Sequence, residues 1–297
     1  MLEKPISVLD IFSGIGGFSL GLEKAGMQTV AFCEINPSCQ KILKTHWSSV
    51  PIFSDITSLT KKDFETLPKI DVIAGGFPCQ DISCAGKQKG ITGKRSGLWK
   101  EFKRLINELK PNYAIIENVA NLRSKGLVAV LQDLWEIGYD AEWHCITASA
   151  LGAPHRRDRI WIVAYPACSS KRGLSSRKKK AKSMFGNNSK NVSNPNCKRL
   201  QGYGGSQEIS TICKQEQVSL YHCTRGIEQW KVEPESIPRL KDNSLNPDWV
   251  EWLMGFPTGW TENISRKQRL IALGNSVVPL IPEFLGQAVS SLFVSEH

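Results

Sequence analysis

From residue 6 to about residue 164, short apolar runs alternate with longer segments of helical spacing, and that alternation leaves few folds open. Ile6-Ser7-Val8-Leu9-Asp10-Ile11-Phe12 reads as a strand, Phe18 to Ala25 as a helix, and Thr29 to Cys33 as a strand. Pro37 to Thr45 reads as a helix begun by Asn36 and Pro37, residue types suited to a cap and a first turn. Further strands are expected at 51–54, 71–74, 113–116, around 141–147 and at 159–164, with helices near 97–109 and 121–137. Alternating β and α units predict an α/β fold with a mostly parallel sheet covered on both faces. At Pro166 the texture changes: serine, lysine, asparagine and glycine dominate to about residue 230, which reads as a small irregular domain or a long insertion. Regular patterning returns at Asn246-Pro247-Asp248-Trp249-Val250-Glu251-Trp252-Leu253-Met254-Gly255, and a last helix is expected from Ile281 to Val294.

Charge is placed as unevenly as hydrophobicity. The chain of 297 residues carries a net charge of +10, and residues 166–230 alone hold 12 Lys/Arg against 3 Asp/Glu. A basic, polar stretch beside a nearly neutral body is the footprint expected of nucleic-acid binding. The run Arg177-Lys178-Lys179-Lys180, taken alone, reads as a solvated loop. The nine cysteines are scattered without a Cys-x-x-Cys pair, so a disulfide framework is not expected. Cys168, Cys197, Cys213, His222 and Cys223 lack metal-site spacing, and no zinc or other metal is expected. No apolar stretch approaches a membrane span and the first residues lack a signal-peptide layout, so the expected location is cytoplasmic, with no membrane partner.

The strand ends carry the chemistry. Asp10-Ile11-Phe12-Ser13-Gly14-Ile15-Gly16-Gly17-Phe18 places glycines between a strand and a helix, where backbone can approach a ligand and a helix N-terminus offers free N–H groups. Ser19 stands where a strict Gly-x-Gly-x-x-Gly would have its third glycine. Glu34 ends the second strand, where a carboxylate can accept hydrogen bonds from ribose hydroxyls, and Asp55 ends the third. Either acid alone reads as a solvated turn residue; three polar strand ends in succession favour a ligand site. Gly75-Gly76-Phe77-Pro78-Cys79-Gln80-Asp81-Ile82-Ser83 sets a cysteine at the exit of the 71–74 strand, on the edge where open α/β sheets bind ligands. A lone cysteine is more often buried structure than nucleophile, and its neighbours must decide. Glu117-Asn118-Val119 ends the 113–116 strand, and Arg156-Arg157-Asp158-Arg159 leads into the 159–164 strand. A partly desolvated carboxylate there suits acid/base work, and the arginines suit a thiolate, a carboxylate or a phosphate, or else a surface salt-bridge patch.

In this order and spacing, Asp10–Phe18, Gly76-Phe-Pro-Cys-Gln80, Glu117-Asn-Val119, His155-Arg-Arg-Asp-Arg159 and Gly274-Asn-Ser-Val277 resemble the ordered motifs of the DNA (cytosine-5) methyltransferase family. The resemblance covers nearly all of the chain outside 166–230. Gly86-Lys87-Gln88-Lys89-Gly90 resembles the mobile loop after the family's nucleophile, and Leu245 to Trp260 resembles a segment of a bacterial and phage-associated subgroup. His155 stands where the family usually has Gln, and Asp158 replaces the commoner Glu.

The resemblance implies a Rossmann-like S-adenosylmethionine-dependent methyltransferase sheet with a smaller, irregular target-recognition domain. It divides the chain into a catalytic, cofactor-binding domain at 1–165, a DNA-reading region at 166–266 and a segment at 267–297 that packs back on the first domain. It implies methyl transfer from S-adenosyl-L-methionine to C5 of a flipped cytosine in double-stranded DNA, through a covalent bond between Cys79 and C6. Glu117 is then the group on cytosine N3 and its amine, Asn118 shapes the pocket, and Arg157 with Arg159 supports the base. The implied cofactor pocket comprises Phe12, Gly14, Gly16, Glu34, Ile35, Asp55, Ile56 and Pro78, joined by Asn275 and Ser276. Gln80, Ser83, Gln88 and Arg95 match positions that touch DNA. The implied enzyme is a monomer of restriction–modification, phage or orphan type, in the first case alongside an endonuclease acting on the same site. A tRNA cytosine-5 methyltransferase of the same fold is disfavoured by the absence of a Cys-Phe-Thr segment. A catalytically dead DNA-binding regulator is disfavoured because Cys79, Glu117 and Arg157 are all present.

Overall fold

In the computed structural model, residues 4–78, 97–167, 230, 234 and 236–295 are described. Seven strands form one sheet: β1 (Ser7–Ile11), β2 (Gln28–Cys33), β3 (Ile52–Phe53), β4 (Val72–Gly76), β5 (Tyr113–Val119), β6 (Tyr139–Thr147) and β7 (Asp158–Pro166). Their spatial order is β3-β2-β1-β4-β5-β7-β6, with β3 through β5 parallel and β7 antiparallel to both neighbours. The expected α/β sheet is therefore present, closed on one side by a β6–β7 hairpin. Adjacent residues of the central strands serve opposite faces, as a period of two requires. Leu9, Ile73, Ile116 and Ile162 enter one buried cluster, while Val8, Val72, Ile115 and Trp161 enter the other.

Helices cover both faces. Trp99, Phe102, Leu105 and Ile106 line the buried side of α3 (Leu98–Leu109), and they join the first cluster with Leu127, Val130 and Leu134. The helical pattern at 121–137 is broken into α4 (Leu122–Lys125) and α5 (Leu127–Glu136) by Gly126, whose extended φ of −176° interrupts the turn. On the other face lie α1 (Gly17–Lys24), α2 (Pro37–His46) and the C-terminal helices. These are α6 (Pro247–Met254), α7 (Arg266–Asn275) and α8 (Leu280–Ser295). An Asn-Pro pair starts α2 and again α6: the Asn36 and Asn246 side chains accept from the N–H groups of Ser38 and Asp248, at 2.9 and 3.1 Å. Helix α7, absent from the sequence reading, begins with a capping box between Ser265 and Gln268. No single helix among the described residues is long and apolar enough to cross a membrane.

The chain's two ends meet through glycines. A Cβ on Gly21 of α1 would stand 2.1 Å from the Pro279 carbonyl oxygen and 2.8 Å from the Glu283 nitrogen. One on Gly286 of α8 would stand 2.8 Å from the Ala25 Cβ, and one on Gly17 2.9 Å from the Ser276 hydroxyl. The helices thus approach as closely as bare backbone allows, which sets Asn275 and Ser276 beside the first turn of α1. Replacing Gly21 by Ala puts a methyl group against backbone that no side-chain rotation can clear. Gly21→Ala is expected to destabilise by about 1–3 kcal/mol, as overpacked sites do, despite alanine's better helix propensity. Urea unfolding measures this directly, and the same change at Gly274, a glycine of α7 that faces open space, serves as the comparison for helix propensity alone.

Candidate active site

Strand order reverses between β1 and β4, so a crevice opens beyond their carboxyl ends, where open α/β sheets take ligands. Ile11 pairs with Gly75 across this point. The loop leaving β1 turns sharply: Phe12, Gly14 and Gly16 have φ of 54°, 54° and 81°. Phe12 is one of four non-glycine residues with positive φ among those described, and Arg157, at 26°, is another. Strained backbone of this kind collects where surrounding structure holds it for a purpose. Ser13 fastens the loop by donating its Oγ–H to the Asp10 carbonyl at 2.6 Å and its N–H to the Cys33 carbonyl at 3.2 Å.

Glu34, at the end of β2, gathers this loop. Its carboxylate accepts the N–H of Gly14 on one oxygen and the N–H of Asn36 on the other, each at 2.7 Å. Burial pushes its pKa up while those two donors and the Ile35 N–H pull it down. Gln40 of α2 steadies the same corner, donating to the Glu34 carbonyl at 2.5 Å. Beside it Ile35 is 74% exposed, an apolar side chain facing solvent next to Gly14, whose missing Cβ borders open space. Ile56 is buried, with its carbonyl held by Arg104 at 2.9 Å, and Phe12 is half-buried against the Phe102 ring. Asp55 is exposed, its carboxylate held below the usual range by hydrogen bonds from Thr57.

On the other side of the crevice Gly76 pairs with Glu117 of β5, and a Cβ on Gly76 would stand 2.6 Å from Glu117 Oε2. The glycine therefore leaves room for the carboxylate. Arg159 Nε meets Glu117 Oε1 at 3.0 Å. Desolvation raises the Glu117 pKa, opposed by Arg159 and then Arg157. Asn118 is buried and donates Nδ2–H to the Phe77 carbonyl at 3.1 Å, tying the exit of β4, with the half-buried Pro78, to β5. Arg157 reaches the C-terminal segment: its Nη2 donates to the Gly274 carbonyl at 2.9 Å and also to the Ser276 carbonyl. Burial and the neighbouring Arg159 push its pKa down to about 10, with Glu117 opposing. Ser276 is buried and Asn275 exposed at the end of α7. Glycine loop, Glu34, Glu117, both arginines and Ser276 thus occupy one edge, with Asp55 on its rim. Cys79, Gln80, Ser83, Gln88 and Arg95 lie outside the described residues, as does most of the basic stretch.

Asp10 is a buried acid at the base of the site that spacing alone did not single out. It is fully buried in β1 beneath the loop, and its Oδ2 accepts both the N–H and the Oγ–H of Ser19, at 3.2 and 2.8 Å. A carboxylate thereby caps the first turn of α1 from below, where unpaired N–H groups and the helix dipole favour negative charge. Desolvation nevertheless wins: burial pushes its pKa up to about 7 against the Ser19 hydrogen bonds, and Oδ1 has no partner.

Residues 6–232 match the sequence profile of the C-5 cytosine-specific DNA methylase family, which is most of the chain, and the chain belongs to that family. It is 42% identical over 158 residues to the type II methyltransferase M.CviJI of Paramecium bursaria Chlorella virus IL3A, covering 52% of this chain and 42% of the relative. It is 37% identical over 167 residues to the type II methyltransferase M2.BsuMI of Bacillus subtilis, covering 54% and 42%. The chain thus spans less than half the length of these relatives. Among solved structures, the Entamoeba histolytica methyltransferase EhMeth aligns over 98% of this chain and 99% of its own, with a TM-score of 0.62 at 18% identity. The S. pombe Dnmt2 methyltransferase aligns over 97% and 99%, with a TM-score of 0.60 at 16% identity. These two share the fold. The family's methyl donor is S-adenosyl-L-methionine, and the donor set fits it: an open cradle at Gly14, a loop-bound carboxylate at Glu34, an exposed apolar Ile35 and a rim carboxylate at Asp55.

The Asp10 geometry has a measurable consequence. Its folded pKa lies above its unfolded value near 3.8, so the folded state binds more protons between about pH 4 and 7. Stability therefore falls as pH rises through that window, by up to about 1.4 kcal/mol per pH unit, and flattens above it. Asp10→Asn can keep the Ser19 acceptor without the charge. The stability of Asp10→Asn relative to wild type is expected to rise from pH 5 to pH 8 in urea titrations; a constant difference would contradict the assignment.

Proposed function

We propose that the chain is a DNA (cytosine-5) methyltransferase of restriction–modification, phage or orphan type that works through the edge formed by β1, β4, β5 and β7. The observation that carries the reading is the Glu117–Arg159 pair, held over Gly76 at the exit of the strand that leads into Phe77-Pro78-Cys79. Residues 1–165 serve as the catalytic domain. Residues 166–266 include the DNA-reading region, and their last part, from Asn246, is seated on the catalytic body. Residues 267–297 close the cofactor side. The enzyme acts as a cytoplasmic monomer on duplex DNA.

S-adenosyl-L-methionine, when bound, supplies an electrophilic methyl group. Glu34 would hold its ribose end while keeping the Gly14 loop in place, with Phe12, Ile35, Ile56 and Pro78 as apolar walls. Asp55 would face the adenine amine, and Gly16, Asn275 and Ser276 would close the pocket. Glu117, its pKa raised by burial, is suited to share a proton with cytosine N3 and to accept from the exocyclic amine. Arg159 orients that carboxylate, Arg157 ties the site to the C-terminal segment, and Asn118 fixes the path of Phe77 and Pro78. The Cys79 thiolate would use its electron pair to bond to cytosine C6, and the C5=C6 π pair would pass to C5, making C5 nucleophilic toward a methyl donor held by the cofactor pocket. Loss of the C5 proton and β-elimination would then free Cys79. The target base must leave the stack to reach such an edge, at a cost of a few kcal/mol. Gln80, Ser83, Gln88 and Arg95 would meet the DNA around it.

Incubation with tritium-labelled S-adenosylmethionine is expected to label duplex DNA and leave tRNA at background. Cys79→Ser is expected to bring transfer to background while retaining DNA and cofactor binding. Preferential labelling of tRNA, or turnover by the serine variant, would refute the reading.

A further inference from the structure

Trp260 belongs to none of the crevice motifs, yet its indole N–H donates to the Ile15 carbonyl at 2.9 Å, 245 positions away in the chain. Ile15 sits between Gly14 and Gly16, at the centre of the strained loop, with Gly14 in turn bonded to Glu34. The indole reaches it from a fixed platform. It stacks on His46 at 3.6 Å with the rings 4° from parallel, and it packs against Trp47 and Phe256. Trp47 supports the same loop from beside it, since a Cβ on Gly16 would stand 2.5 Å from its ring, and its own N–H is held by Glu23 of α1 at 2.9 Å.

The chain on either side of Trp260 is pinned by one fully buried carboxylate. Glu251 of α6 accepts the N–H of Gly259 at 2.7 Å on one oxygen. Its other oxygen accepts the N–H of Thr261 at 2.8 Å and an Nη2–H of Arg269 at 2.8 Å. Arg269 also donates Nε–H to the Thr261 hydroxyl at 2.8 Å and reaches Asp248. Both neighbours of Trp260 are thus fixed, and stacking on His46 orients the ring.

We infer that Trp260 is a positioning residue for the cofactor, acting through the Ile15 carbonyl to hold the Gly14–Gly16 turn in its binding shape. This rests on the cofactor reading of the loop. A loop whose left-handed conformation is imposed in the absence of ligand need not be ordered on binding, so the hydrogen bond appears as affinity. Trp260→Phe keeps an aromatic ring and removes the donor. Val289→Ala, in the same buried cluster but next to Ser290, which bonds the Ala25 carbonyl at the far end of α1, perturbs packing away from the loop and serves as the comparison.

The test is calorimetric binding of S-adenosylhomocysteine to the purified full chain and both variants, with thermal unfolding and steady-state kinetics alongside. Trp260→Phe is expected to weaken binding by about three- to ten-fold, the net worth of one hydrogen bond. The cofactor KM should rise to match, with kcat within about two-fold of wild type. Val289→Ala should lower the melting temperature at least as much and leave affinity unchanged. Unchanged affinity in Trp260→Phe, or an equal loss in both variants, would overturn the proposal and leave the cofactor reading standing. Failure of the wild type itself to bind would remove both.

Discussion

The close approach of α1 to the C-terminal segment is the contact on which the rest of the site depends. Gly21 lets backbone meet backbone, and Gly17 and Gly286 let side chains of the facing segment come in against bare backbone, where a Cβ would hold the elements apart. That contact carries Ser276 to the first turn of α1 and puts the carbonyls of Gly274 and Ser276 within reach of Arg157. The glycine loop and the β7 entrance, encoded nearly 150 residues apart, are joined by a segment encoded last. Burial of Val278, Leu280, Ile281 and Val289 against Phe18 and Leu22 supplies the hydrophobic drive for the return.

Around this frame, buried carboxylates organise loops. Asp10 takes the Ser19 N–H, Glu34 those of Gly14 and Asn36, and Glu251 those of Gly259 and Thr261. The first of these donors lies in the first turn of α1 and the others in irregular loops, so their backbone N–H groups have no intrahelical or ladder partner, and an anion that accepts two donors satisfies groups that would be costly to leave buried and unpaired. The cost falls on the acids, and it is visible in the raised pKa values of Asp10 and Glu34. Only Glu251 gains a full counter-charge, Arg269. Removing one member of such a pair is far more damaging than the pair is stabilising, because the partner is left buried and charged.

Much of this was legible in the amino-acid sequence. Alternating apolar runs placed the strands to within a few residues, and the polar residues singled out at their ends fall along one edge of the sheet. Asn36-Pro37 announced its helix through cap chemistry alone. Other features had no local signal. The break at Gly126 competes with a helical pattern that continues across it, and α7 is amphipathic too weakly to stand out before its capping box is seen. The antiparallel entry of β7 between β5 and β6 depends on which strands pair, not on their composition. Trp260 and the Glu251–Arg269 pair are invisible for the same reason: their partners lie elsewhere in the chain, and only the fold brings Ile15 to the indole.

The central claim is that this edge delivers a methyl group to carbon 5 of cytosine. Its most direct test is mass spectrometry of nucleosides from the DNA of a methylation-deficient host expressing the chain. The account predicts 5-methyl-2′-deoxycytidine, lost when Glu117 is replaced by Ala. Methyl groups found instead on an exocyclic amine, or none in DNA from cells holding folded wild-type protein, would contradict it.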